Sequence, residues 1–127
     1  MERPTKQELL GAIRGFLERE LMPELEGVRR FHVRVSVNAL AIVLRELELE
    51  GEQRPAQHAR LCALLGRTDA KPAEPRALDQ AVEGLERELC ARIRAGFGEQ
   101  PGARARLLLH LRETAAERLA VSNPGYR

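Results

Sequence analysis

The stretch from Gly27 to Glu50, GVRRFHVRVSVNALAIVLRELELE, constrains the fold most, because no other part of the chain runs so far without proline or internal glycine. At about 100° per residue, its Val, Ile, Leu, Phe and Ala residues spread over most of a helical circumference. Only a narrow strip is left for water, and it carries Arg30, Arg34, Arg45 and Glu48 with Asn38 at its edge. Such a helix belongs in a core, wrapped by others. The alternation VRVSV would also suit a short strand at Val33 to Val37. The apolar run continues through ALAIVL into a charged helical ending, so the spacing predicts one central helix over about 27–50, the most enclosed element of the fold.

The rest of the chain supplies partners with single stripes. Thr5 and Glu8 have the spacing of a capping box, opening a first helix over about Lys6 to Met22 with Leu9, Leu10, Ile13, Phe16, Leu17 and Leu21. Gly51 is expected to end the central helix, and Pro55 to begin a short one that stops at Gly66. The segment RTDAKPAEP, 67–75, reads as a surface loop. A helix over about Arg76 to Ala95 carries Leu78, Val82, Leu85, Leu89 and Ile93 in one stripe, and a last helix after Pro101-Gly102 runs to Asn123-Pro124-Gly125. The absence of Trp and the abundance of Leu, Ala, Arg and Glu agree with helices throughout. The expected fold is all-α, a bundle of four main helices plus one short helix, and 127 residues suit a single domain, 1–127.

Several function classes are disfavoured. The net charge is +2 with both signs interleaved, so no concentrated basic face for nucleic acid is expected. The N-terminal MERPTKQE lacks the apolar centre of a signal peptide, and no apolar run approaches the roughly 20 residues that span a bilayer. A soluble, cytoplasmic protein is the expectation, without membrane association. Cys62 and Cys90 are isolated and read as small buried apolar residues. His32, His58 and His110 have no second ligand at metal spacing beyond His110 with Glu113, and phosphate-binding loops, the dinucleotide glycine fingerprint and the nucleophile elbow are absent. No cofactor, metal or catalytic residue is implied, and no sequence-level argument for an enzyme remains.

Two features could carry a function. The polar residues His32, Arg34, Asn38 and Arg45, with Ser36, lie on an otherwise apolar helix. His32 and Ser36 fall in the apolar arc expected to face other helices, whereas Arg34, Asn38 and Arg45 line the opposite strip. They form either a ligand pocket or a hydrogen-bonded network that ties helices together. The second feature is apolar width: Leu107, Leu108, Leu109 and Leu111 exceed what one core stripe needs, which suits an oligomer or partner face.

The segments PTKQELLGAIRGFLERELMPELEG, FHVRVSVNALAIVLRELEL, LCARIRAGFG and LRETAAERLAVSNPGY together resemble an uncharacterised bacterial domain-of-unknown-function family over nearly the whole chain. The matching positions are Phe31, His32, Arg34, Val35, Asn38, Arg45, Glu46 and Leu47, then Leu119, Val121, Asn123, Pro124 and Tyr126. That resemblance implies proteins encoded beside aminoglycoside-phosphotransferase-like kinases and acyl-CoA dehydrogenases, and it brings no catalytic assignment. The expectation is a non-enzymatic accessory or protein-interaction module that partners a phosphotransferase-like kinase or forms a homodimer. The alternative is a small-ligand-binding protein or enzyme acting on an acyl or phosphorylated compound through His32, Arg34, Asn38 and Arg45.

Overall fold

The computed structural model describes residues 2–126, and every regular element among them is helical. Helix α1 spans Lys6–Gly15, α2 Gly27–Leu65, α3 Pro75–Arg94 and α4 Ala103–Ser122, with a short 3-10 turn at Phe97–Glu99. The all-α expectation is met. The chain divides into two compact units, one formed by the residues up to Leu49 with those from Ala120 on, the other by Glu50–Leu119.

Helix α1 begins as its sequence dictates. Thr5 caps it by accepting the Glu8 backbone N–H at 3.1 Å, which satisfies a donor that has no partner within the helix. The winding loosens into a π-helical turn over Phe16–Leu21 and tightens into a 3-10 turn at Met22–Glu24. At buried Gly15 a β-carbon would meet the Arg19 guanidinium, so this glycine makes room for a side chain of the turn that follows α1.

Helix α2 departs from expectation in two ways. It does not end at Gly51: the helix passes through Gly51 and Pro55 and absorbs the expected short third helix. A glycine costs about 1 kcal/mol and an internal proline about 3 kcal/mol in isolated helices. Downstream packing outweighs both, since Gln57, His58, Leu61, Cys62, Leu64 and Leu65 are all buried. Nor is the 27–50 stretch the most enclosed element. Within it only Val37 and Ala41 are buried, while Val28, Phe31, Val35 and Val43 are exposed.

The main hydrophobic core lies in the Glu50–Leu119 unit. It joins Leu61, Cys62, Leu64 and Leu65 of α2 to Leu78, Val82, Leu85 and Leu89 of α3 and to Phe97, Ala103 and Leu107. The α3 stripe is the one its spacing announces, except that Ile93 is 40% exposed. Of the two cysteines, Cys62 is buried as expected and Cys90 is exposed.

The end of α2 is closed by a glycine at φ +69°, Gly66, which lets the Arg67 N–H reach back to the Cys62 carbonyl at 2.8 Å. Arg92 of α3 donates to the Leu65 carbonyl at 2.9 Å, placing a cation at the negative end of the helix. The loop that follows is anchored at its start, because Arg67 pairs with both Asp69 and Glu88 at 2.7 Å.

Gly84 lies inside α3, with open space where a β-carbon would stand. Gly84→Ala is expected to stabilise the unit by about 0.5–1 kcal/mol, read as a higher midpoint in urea unfolding followed by circular dichroism.

Candidate interaction surface

Between Gly27 and Leu49, α2 carries two apolar seams. Val33, Val37, Leu40, Leu44 and Leu47 recur at four- and three-residue spacings and are buried or half-buried. Val28, Phe31, Val35, Ala39 and Ile42 recur in the same way on the other side. Val28 is 70% exposed, Phe31 60% and Val35 50%; Ala39 is exposed and Ile42 half-buried. The sequence pattern was therefore right about the breadth of apolar surface, but this chain covers only one side of it.

Helix α1 repeats the arrangement on a smaller scale. Leu10, Leu17 and Leu21 are half-buried, whereas Leu9, Ile13 and Phe16 are each about half exposed and spaced as one stripe. The unit that contains these two helix faces buries only Gly15, Val37 and Ala41 among its described residues. Exposed apolar side chains in such number, at helical spacing, form the largest uncovered apolar surface described on these two helices.

The four polar residues expected to form a site do not share one face. Arg34, Asn38 and Arg45 lie on one flank of α2, and His32 is on the other. Arg34 and Asn38 are exposed. Arg45 is half-buried, and its Nε donates to the Val121 carbonyl at 2.7 Å, tying α2 to the last turn of α4 within the same unit. His32 and Ser36, expected to look into the bundle, are exposed instead; the Ser36 hydroxyl donates to the His32 carbonyl at 3.0 Å along the helix. They sit in the apolar arc, as their spacing requires, but that arc faces outward.

The densest polar cluster lies in the other unit and was not legible as such. Arg60 donates from NH2 to Glu117 Oε1 at 2.6 Å, from NH1 to Glu117 Oε2 at 3.0 Å, and its Nε stands 3.1 Å from Glu113 Oε2. This bidentate pairing holds the guanidinium pKa above its ordinary value, through the hydrogen bond to Glu117 first. One turn before Glu113 on α4, and two turns before Glu117, is His110, 7% exposed, whose Nδ1 no protein atom hydrogen-bonds. Burial, and then the Arg60 charge, push its pKa below the usual histidine value and favour the neutral ring. The sequence offered His110 and Glu113 only as a weak ligand pair; their true partner, Arg60, is 50 or more positions away.

A cleft of about 270 Å³ opens beside this cluster, lined by Arg60, Ala63, Leu64, Arg106, Leu109, His110 and Glu113. Its chemistry is largely satisfied internally, since two carboxylates of the chain already hold the Arg60 fork. No group of three His, Cys, Asp or Glu side chains among the described residues is placed to hold a metal ion. No described helix is long and apolar enough to cross a membrane.

The chain belongs to a family of unknown function: the family model described as Domain of unknown function (DUF6285) matches residues 23–126. The matched region takes in all of α2 and leaves α1 outside. No curated protein and no solved structure matches the chain.

Two measurements probe the Arg60 cluster. Glu117→Gln removes the charge that two guanidinium nitrogens share at a largely buried site, and should lower unfolding stability by about 1–3 kcal/mol in denaturant titration. His110 gives a pH signature. Its native pKa is depressed, so the unfolded chain takes up the proton first as pH falls below the ordinary value of 6.5. Stability is thus held above that pH and lost as pH drops towards the native pKa. In thermal melts between pH 7.5 and 5, His110→Gln should show a smaller acid-side loss than the wild type.

Proposed function

We propose that this member of the DUF6285 family is a non-enzymatic helical accessory module that binds another protein chain through the exposed seam of α2. One observation carries the reading: α2 has a second, regularly spaced apolar face, Val28, Phe31, Val35 and Ala39, that its own chain leaves open. A face of this kind is unfavourable in water and becomes stabilising only when covered. The partner is a second copy of the chain or, following the resemblance to proteins encoded beside such enzymes, a phosphotransferase-like kinase.

A small acyl or phosphorylated ligand held by His32, Arg34, Asn38 and Arg45 is the competing proposal. It has less support, because Arg45 already donates to Val121 and His32 lies on the opposite flank from Arg34.

The test compares the wild type with Phe31→Glu/Val35→Glu by sedimentation and by affinity capture from the native host. Both positions are exposed, so the variant should keep its helical circular dichroism. It should lose self-association or lose a captured partner. A wild type that stays monomeric at every concentration and retains the same proteins as the variant would refute the proposal.

A further inference from the structure

We infer that the cleft between α2 and α4 beside Arg60 binds a small organic monocarboxylate, whose carboxylate pairs with Arg106 and whose apolar body covers Leu109. The site lies wholly in the Glu50–Leu119 unit and is independent of the α2 seam.

Two helix flanks make the cleft. Arg60, Ala63 and Leu64 recur at three- and four-residue spacings along α2, and Arg106, Leu109, His110 and Glu113 do so along α4. Leu64 and His110, each 7% exposed, form its floor, whereas Ala63, Arg106 and Leu109 stand exposed at its rim. Its volume of about 270 Å³ lies at the lower edge of the roughly 300–1,000 Å³ usual for small-molecule sites, so the ligand is small.

His110 is the side chain that asks for a ligand. A buried ring nitrogen without a hydrogen-bond partner is costly, and Nδ1 finds none among the described residues. The torsion about Cβ–Cγ is broad for histidine, so a small rotation presents the imidazole to a group seated in the cleft that it lines. Burial and the Arg60 charge favour the neutral ring, against the opposing pull of Glu86, Glu113 and Glu117. His110 therefore supplies a hydrogen bond and not a second positive charge.

Charge fixes the sign of the ligand. Of the ionic groups lining the cleft, Arg60 and Glu113 form an ion pair at 3.1 Å, and Arg60 is further held by Glu117. Arg106 is left without a counterion among the described residues. One unpaired guanidinium, with its planar fork of donors, matches one carboxylate, while a dianion such as phosphate would set its second charge against Glu113. Arg106 and His110 stand one helical turn apart, about 6 Å along the axis, within reach of one small molecule. The remaining lining, Ala63, Leu64 and Leu109, is apolar, and Leu109 is 56% exposed. A hydrocarbon body laid across it takes that surface out of water.

The test is an NMR titration of the full chain, followed at the His110 imidazole and the Leu109 methyl groups. Hexanoate is the probe, and hexanol, hexylamine and inorganic phosphate are the comparisons. Hexanoate should shift both residues, with the other three compounds at least about tenfold weaker. Arg106→Gln should weaken hexanoate about tenfold and leave hexanol unchanged, and Leu109→Ser should weaken both. Arg106 and Leu109 are exposed, so these variants should keep the fold. Arg112→Gln, which changes an exposed arginine elsewhere around α4, should leave hexanoate binding as it is. The inference is overturned if hexanoate shifts neither residue, or if hexanol or hexylamine binds as well as hexanoate. Tighter binding of phosphate, or an equal loss in Arg112→Gln and Arg106→Gln, would overturn it too.

Discussion

Apolar surface on a helix has to be taken out of water on every side where it occurs, and the first half of α2 has such surface on two sides. One seam, Val33 to Leu47, is buried or half-buried. The other, Val28 to Ala39, is not, and the same unit buries hardly any side chain completely. At about 25 cal/mol per Å² of apolar area removed from water, the open seam represents several kcal/mol that the isolated chain does not realise. Any account of what the protein does has to begin there. The remaining features are a well-packed core in one unit and an ionic cluster around Arg60.

The Glu50–Leu119 unit shows how the same physics looks when it is resolved internally. Its stripes from α2, α3 and α4 close on one another around Leu61 and Ala103, and the C-terminal end of α2 is closed by Gly66 and Arg92. Arg60 joins α2 to α4 through two glutamates in a setting where a single unpaired charge would be costly. The guanidinium beside the adjacent cleft is thus held by the chain's own carboxylates, while the buried His110 Nδ1 has no protein partner.

Much of the fold could be read from the residues. The Leu78, Val82, Leu85 and Leu89 stripe, the Thr5 cap and the helical character of every element follow from spacing and propensity, which are local properties. The continuity of α2 through Gly51 and Pro55 could not, since propensity opposes it and only the burial of residues further along the helix overrides it. The direction in which His32 and Ser36 face was illegible for a related reason. Periodicity places a residue in an apolar arc, but whether that arc meets its own chain or something else is a property of the assembly. Arg60 was missed because its partners lie on a helix far along the sequence, with no local pattern to announce them.

Pro55 has a consequence for how the protein comes apart. Without an N–H at that position, the Gly51 carbonyl has no donor four residues on, and the gap in the helical ladder falls beside the boundary between the two compact units at Leu49 and Glu50. Order in one part of α2 is therefore weakly transmitted to the other, and the sparsely buried unit and the well-packed unit have separate reasons to lose structure. Amide protons on the two sides of Gly51 are then expected to exchange with solvent through different openings. Occupation of the open seam would protect amides on the Val28 side first, making that half of α2 a reporter of assembly within an otherwise unchanged chain.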